Sequence, residues 1–98
     1  MSSAERPSTV PDGARPCLPR GVRLTFDARR DAWMLLAPET IFTANGPAAE
    51  ILRLCDGTRS VDQIVDAMCR RFAAGRTQVA RDVTALLARL REQRVLDL

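Results

Sequence analysis

The 98-residue sequence has no histidine, no tyrosine and, because all fifteen of its basic residues are arginine, no lysine. General acid–base catalysis near neutral pH most often uses histidine, and otherwise carboxylates, lysine, tyrosine or cysteine with a shifted pKa. Only carboxylates and three cysteines remain here. We therefore expect a protein that is not an enzyme.

The three cysteines are Cys17, Cys55 and Cys69, and no two of them form a CxxC pair. Without such a pair and without histidine, a tetrahedral zinc site lacks its ligands, so we expect no metal and no other cofactor. Cys55 and Cys69 fall on the apolar faces of predicted helices, where cysteine packs as a small hydrophobic residue. Cys17 is expected to be an exposed thiol in a flexible segment.

Long hydrophobic runs are also missing. No stretch approaches the ~18–20 apolar residues that span a bilayer, and the N-terminus lacks the apolar core of a secretory signal, which predicts a cytoplasmic protein with no membrane contact. From residue 21 onward there are twelve arginines and ten acidic residues, a net charge of +2. Such a mixed-sign surface is typical of a soluble domain rather than of a phosphate-binding stripe.

Residues 1–19 are punctuated by Pro7, Pro11, Gly13, Pro16 and Pro19, with polar residues between them. A segment of this composition buries too little apolar area to offset its ordering entropy. It predicts a disordered tail, or a linker to another domain, over 1–19. The folded domain is expected over 20–98.

Three strands are predicted after this tail. Apolar and polar residues alternate over 22–27, which indicates a half-buried strand, and the polar run 27–31 makes a turn. The continuous apolar run 32–37 suits a central strand that ends at Pro38, which cannot donate to a ladder. The third strand is the short β-branched and aromatic segment 40–44.

Three helices follow. The first begins at Asn45-Gly46-Pro47 and runs to about Cys55, where Asp56-Gly57 stops it. The second starts at the capping box formed by Ser60 and Gln63 and ends at Gly75, and the third covers about 78–94. The short apolar tail 95–98 is placed back against the sheet. The apolar positions expected on the core side of the helices are Ala48, Ile51, Leu52, Cys55, Val61, Ile64, Val65, Met68, Phe72, Val79, Val83, Leu86, Leu87 and Leu90.

The predicted fold class is therefore α+β: a three-stranded antiparallel sheet followed by three helices, similar to a winged helix-turn-helix. The third strand has no charged residue and no proline, the devices that usually protect a sheet edge. Two interpretations remain open. The strand is either short and covered by a neighbouring helix, or it is an edge left bare so that an extended peptide can add a strand.

Three segments resemble one known family in their order and spacing: RLTFD at 23–27, WMLLAPE at 33–39 and ILRLCDG at 51–57. They are similar to the PqqD family of leader-recognition domains, and the similarity extends over roughly residues 20–98. The resemblance implies a non-catalytic peptide chaperone of pyrroloquinoline quinone biosynthesis. Such a chaperone binds the precursor peptide PqqA and presents it to PqqE, a radical SAM enzyme whose iron–sulfur clusters belong to that partner.

The resemblance also implies where the peptide binds, namely as an extra strand against the third strand, with the third helix as the opposite wall. Carried onto this sequence, the expected peptide-binding residues are Thr40, Ile41, Phe42, Thr43, Ala44, Val79, Asp82, Val83 and Leu86. Two of them have alternative roles. Phe42 suits plain core packing, and Asp82 suits a first-turn charge that stabilises the helix dipole.

A winged-helix protein that binds nucleic acid is the main alternative, with the third helix as the recognition helix. Its arginines at 76, 81, 89, 91 and 94 are accompanied by Asp82 and Glu92, and a domain of +2 has little capacity to neutralise phosphates. We therefore expect no nucleic-acid partner. A monomer is expected, with a dimer through the same open edge as the remaining possibility.

Overall fold

The computed structural model describes residues 10–98, which form a three-stranded antiparallel sheet followed by three helices. The strands are β1 (Arg23–Asp27), β2 (Ala32–Ala37) and β3 (Thr40–Ala44), and the helices are α1 (Gly46–Leu54), α2 (Val61–Phe72) and α3 (Arg76–Glu92). The predicted fold class is confirmed. Within 10–98, no helix combines the length and the apolar character needed to cross a bilayer.

The sheet has the order β1-β2-β3, with β2 in the centre. Leu24, Leu35 and Phe42 are partners across the three strands and pack on the core, so this face of the sheet lies against the helices. The neighbouring row contains Met34 and Thr43, and alternation along a strand places it on the opposite face. The sheet thus covers the helices with one face only.

The core lies between the inner face of the sheet and the three helices. Every apolar position predicted for α3 is buried, and so are those of α2 up to Met68. Phe72, predicted at the end of the α2 stripe, is instead 40% exposed. It occupies the last residue of α2, where the helix has already passed the edge of the core.

The junction between α2 and α3 differs from the prediction. Gly75 was expected to end α2, but the helix ends at Phe72, and Ala73 takes the left-handed conformation with φ 49°. Gly75 instead stands just before α3, which begins at Arg76, two residues earlier than expected. A glycine is favoured for a left-handed helix end but is not required there, and the sequence rule placed the boundary at the nearest glycine.

The prediction of a disordered segment over 1–19 is wrong for residues 10–19, while residues 1–9 lie outside the described part. Val10 is only 4% exposed and belongs to the core, and Pro16 is fully buried. The amide of Gly57 donates to the carbonyl of Pro16 at 2.9 Å. The folded domain therefore includes residues 10–19.

This N-terminal segment (residues 10–19) completes the start of α2. The first four N–H groups of a helix have no partner within the helix. In α2 the N–H of Val61 donates to the carbonyl of Ala14 at 2.9 Å, and that of Asp62 to the carbonyl of Asp12 at 3.1 Å. The remaining two are satisfied by the capping box predicted from the sequence, in which Ser60 and Gln63 exchange hydrogen bonds.

The C-terminal tail was expected to return to the sheet, but it does not. Cys17 and Asp97 exchange two backbone hydrogen bonds, of 3.0 and 2.9 Å, so the tail pairs with the N-terminal segment. Val95 and Leu96 are buried in the core beside it. Cys17 is consequently half-buried and held on both sides, since it also bridges to Asp56, and it is not an exposed thiol in a flexible segment.

Candidate functional site

The outer edge of β3 is unoccupied by the rest of the described chain. β3 pairs with β2 on one side, and within residues 10–98 no further backbone hydrogen bond reaches 40–44. The C-terminal tail does not cover this edge, because it pairs with Cys17. The edge carries no charged residue and no proline, so nothing in β3 itself opposes the addition of another strand.

The hairpin geometry fixes which backbone groups face outward. Pro38 and Glu39 form a two-residue turn between Ala37 and Thr40. The residues flanking such a turn bond to each other, and bonded pairs then alternate with non-bonded pairs along the ladder. The N–H and C=O groups of Ile41 and Thr43 therefore point away from β2, toward an incoming strand.

The side chains of β3 divide between the two faces of the sheet. Thr40, Ile41 and Thr43 are exposed, Ile41 at 65%. Phe42 is half-buried and packs on the core, and Ala44 is buried. The partial burial of Phe42 is compatible with both of its predicted roles, which are core packing and contact with a peptide.

Helix α3 reaches β3 through an arginine that the sequence analysis did not select. The guanidinium of Arg89 lies over the ring of Phe42, 5.8 Å from its centroid, which is cation–π geometry. At 100° per residue, Asp82, Leu86 and Arg89 fall within roughly 60° of one another on the helix. This flank of α3, next to its buried stripe, is the side that faces β3. The spacing of Arg89, three residues after Leu86, was the signal available in the sequence.

The predicted helix residues differ in their exposure. Val79, Val83 and Leu86 are buried, and Val83 is only 1% exposed. Asp82 is exposed and accepts a hydrogen bond from the side chain of Gln78 at 2.9 Å. Because α3 begins at Arg76, Asp82 lies in the second turn, so its predicted alternative role as a first-turn charge is wrong.

A small cavity of about 110 Å³ lies at the N-terminal end of α3. It is mostly apolar and close to the end of β3, because α1 starts two residues after Ala44. Its lining residues are Pro47, Ile51, Met68, Phe72, Ala74, Val79, Asp82 and Val83. The N-terminal half of α3 thus lines a cavity that the start of α1 also contacts, and Arg89 lies against Phe42 in the middle of β3.

We name this arrangement the β3–α3 groove; it comprises the outer edge of β3, the α3 flank of Asp82, Leu86 and Arg89, and the small cavity. Its two exposed charges, Asp82 and Arg89, have opposite signs and are separated by roughly 10 Å along the helix. A peptide lying in the groove would meet a negative charge at one end and a positive charge near the middle.

The buried thiol of Cys55 lies outside the β3–α3 groove. Burial raises the pKa of the Cys55 thiol to about 12, with a smaller contribution from the neighbouring Asp56 carboxylate. At neutral pH this thiol is protonated and a poor nucleophile. Within 10–98, no group of three or more cysteine, aspartate or glutamate side chains is arranged to hold a metal ion. The groove offers backbone hydrogen-bonding groups, apolar surface and two charges, which are features of a binding site.

Comparison with known proteins points to one family. The family model described as Coenzyme PQQ synthesis protein D (PqqD) matches residues 32–96, which include β3, α3 and all nine predicted site residues. This chain belongs to the PqqD family. The recognition made from the three sequence segments is confirmed.

Curated relatives of this PqqD-family chain match it over nearly the whole length. The PqqA binding protein of Gluconobacter oxydans (strain 621H) is 45% identical over 92 residues, which cover 94% of this chain and 96% of that protein. The PqqA binding protein of Rhodopseudomonas palustris (strain TIE-1) is 44% identical over 90 residues, covering 92% of this chain and 88% of that protein.

A solved structure shows the same fold. The solution NMR structure of the PqqD truncation of Methylobacterium extorquens PqqCD has a TM-score of 0.79 and 36% identity to this PqqD-family chain. The match covers 93% of this chain and 97% of that one. That protein is described as a functional and stand-alone recognition element for ribosomally synthesised and post-translationally modified peptides.

Proposed function

We propose that this PqqD-family protein is a peptide chaperone of pyrroloquinoline quinone biosynthesis. It binds the precursor peptide PqqA as a fourth strand along β3 and presents it to the radical SAM enzyme PqqE. The observation that carries the proposal is the outer edge of β3, which no other residue of 10–98 pairs with, beside the exposed flank of α3. Membership of the PqqD family and the high identity to PqqA binding proteins support the choice of peptide.

The proposed peptide contacts follow from the geometry of the β3–α3 groove. Ile41 and Thr43 supply two N–H and two C=O groups, so up to about four backbone hydrogen bonds form, each with a net value of about 0.5–1.5 kcal/mol. Phe42 and Leu86 form the apolar floor, and the small cavity beside Val79 and Val83 accepts one apolar side chain of the peptide. Thr40 and Ala44 mark the two ends of the ladder.

The charges of the groove set the direction of the peptide. Asp82 receives a basic or amide group, and Arg89 receives a carboxylate. Backbone hydrogen bonds alone favour neither direction strongly, since both parallel and antiparallel ladders are possible at an open edge. Electrostatic complementarity at these two positions therefore provides orientation more than affinity.

The proposed role is non-catalytic. The sequence has no histidine, lysine or tyrosine, and burial keeps the Cys55 thiol protonated at neutral pH. The iron–sulfur and radical chemistry of the pathway step is assigned to PqqE. A function in nucleic-acid binding has less support, because Arg76 at the start of α3 is engaged by the carboxylates of both Asp62 and Asp66.

Replacing Ile41 by proline tests strand addition. Proline removes an outward N–H and places its ring where the incoming backbone would lie, while the inward hydrogen bonds of β3 to β2 are kept. We expect PqqA to bind the Ile41→Pro variant at least about tenfold more weakly than the unchanged protein, as measured by isothermal titration calorimetry.

The matched control is Ile41→Ala, which removes most of the exposed side chain and keeps the amide. It should bind PqqA within about threefold of the unchanged protein, since the backbone carries the ladder. Thermal unfolding of both variants verifies that the sheet is intact. Equal affinity of the proline variant and the unchanged protein for PqqA would rule out pairing along β3.

A further inference from the structure

A second concave surface lies on the other side of α1 from the small cavity of the groove. It is a cleft of about 320 Å³ between the inner face of the sheet at β1 and β2, the exposed side of α1 and the end of α2. We name it the aromatic cleft. Its lining residues are Phe26, Asp31, Trp33, Asn45, Gly46, Ala49, Glu50, Arg53, Arg71 and Phe72.

Three of the four aromatic residues of the chain meet in this cleft. Phe26 and Trp33 contact edge to face, with their ring centroids 5.4 Å apart. Phe26 is 47% exposed and Phe72 40% exposed, and in the described part of the chain Ile41 is the only other large hydrophobic residue with comparable exposure. Ile41 marks the β3 edge, and Phe26 marks a second surface outside the groove. Phe72 lies at the border, since it lines both the cleft and the small cavity of the groove.

Two arginines frame the rings. The guanidinium of Arg53 lies 5.1 Å from the centroid of a Trp33 ring, and that of Arg71 lies 5.7 Å from the centroid of Phe72. Both arginines share one counter-charge, the carboxylate of Glu50, at 3.4 and 3.5 Å. These distances are at the long end of hydrogen bonding, and both guanidinium groups retain donors for another carboxylate.

The charge balance of the cleft favours an acidic partner. The turn at its rim is neutral in itself, because Asp27 and Asp31 are matched by Arg29 and Arg30, and Arg30 pairs with Asp27. The helical wall contributes Glu50 against Arg53 and Arg71. One positive charge is thus left over, held beside partly exposed aromatic rings.

Exposed aromatic rings beside arginine are the residue types that dominate the energetic centres of protein–protein interfaces. We propose that the aromatic cleft is the docking site for the enzyme that receives the peptide, and that it takes an apolar side chain of that enzyme flanked by a carboxylate. The proposal rests on the proposed function, in which one chain must bind peptide and enzyme at once. The cleft and the small cavity share one lining residue, Phe72, and no residue of β3 lines the cleft, so both can be occupied together.

Charge reversal in the cleft tests the proposal. Arg71→Glu places a negative charge beside Glu50, whereas Arg70→Glu makes the same change one residue earlier on α2, where the side chain does not line the cleft. Affinity of PqqE for the protein saturated with PqqA is measured by microscale thermophoresis. We expect Arg71→Glu, and independently Phe26→Ala, to weaken PqqE binding at least about tenfold, and Arg70→Glu to change it less than about threefold.

Affinity for PqqA alone, measured on the same variants, should stay within about twofold of the unchanged protein. The single tryptophan gives a direct readout. Labelled with 5-fluorotryptophan, Trp33 should shift or broaden in the ¹⁹F NMR spectrum on adding PqqE and stay nearly unchanged on adding PqqA.

The outcomes separate the two proposals. If the unchanged protein does not bind PqqA, the proposed function fails. If it binds both partners but Arg71→Glu binds PqqE as tightly as Arg70→Glu does, the docking site is overturned. Loss of PqqA affinity in the cleft variants, or a Trp33 shift caused by PqqA, would overturn it as well by assigning the cleft to the peptide.

Discussion

Cys55 shows how a single residue can be understood only when its surroundings are known. Its thiol donates to the carbonyl of Ile51 at 3.1 Å and is 3% exposed at the end of α1. The helical spacing of the sequence was enough to predict this burial. The resulting rise in its pKa depends on how completely water is excluded and on the proximity of Asp56, which the sequence pattern does not give.

The Cys55 thiol makes the stability of the fold sensitive to alkaline pH. Its pKa is raised from an ordinary value of 9.0 to about 12 in the folded protein. Below pH 9 the thiol is protonated in both the folded and the unfolded chain, so pH has no effect through this group. Above pH 9 the unfolded chain loses a proton that the folded chain keeps, so the free energy of unfolding falls, by up to about 1.4 kcal/mol per pH unit.

Urea unfolding between pH 8 and pH 11 measures this slope. The measurement is clean because the chain has no lysine, tyrosine or histidine, so thiols are the side chains that titrate in this range. The Cys55→Ala variant should show a clearly smaller slope. An unchanged slope in that variant would mean that another group is responsible.

The site also shows the limit of residue-level prediction. Asp82 and Leu86 were selected because they lie at or beside the apolar stripe of α3. Arg89 was not selected, because its spacing of three residues after Leu86 places it on the same flank of the helix but does not indicate an aromatic partner. Its partner is Phe42, 47 positions earlier, and only the packed structure brings them to 5.8 Å.

At the scale of elements, strands β2 and β3 have the predicted bounds. Pro38 ends one strand, and the β-branched segment 40–44 begins immediately after a two-residue turn, so local chemistry determines both boundaries. The α2–α3 junction was displaced, because Ala73 adopts the left-handed conformation that the sequence rule reserved for glycine. A helix end set by tertiary packing can override the residue preference.

The start of α2 gives a prediction at this scale. Ser60 accepts a hydrogen bond from the amide of Gln63 at 3.1 Å, so Ser60→Ala should leave that amide without its partner and lower the free energy of unfolding by about 1 kcal/mol. Ser60→Asp restores an acceptor and should recover most of the loss. Both are measured by urea unfolding at neutral pH; equal stability of the alanine and serine proteins would show that water or another group replaces the cap.

At the scale of the whole molecule, the N-terminal segment was the largest difference from prediction. Its prolines suggested disorder, yet Val10 and Pro16 are buried, and the carbonyls of Asp12 and Ala14 bond to the first turn of α2. Proline loses little conformational freedom on folding, so a proline-rich segment is ordered cheaply when partners exist. Those partners lie more than forty residues away, which composition cannot reveal.

Shortening the chain tests this contribution. A protein that starts at Val10 keeps all of these contacts, whereas one that starts at Gly21 loses the buried side chains and exposes the first turn of α2. We expect the shorter protein to be less stable by at least about 3 kcal/mol, as measured by urea unfolding. Equal stability of the two would contradict the contribution described here.

The pairing of Cys17 with Asp97 holds the C-terminal tail beside the N-terminal segment. The cavity next to Cys17 is lined by Val22, Arg23 and Leu24, so this meeting point lies at the β1 margin of the sheet, opposite to β3. A second protein fused after Leu98 would therefore extend from the β1 side of the sheet, away from a peptide bound along β3.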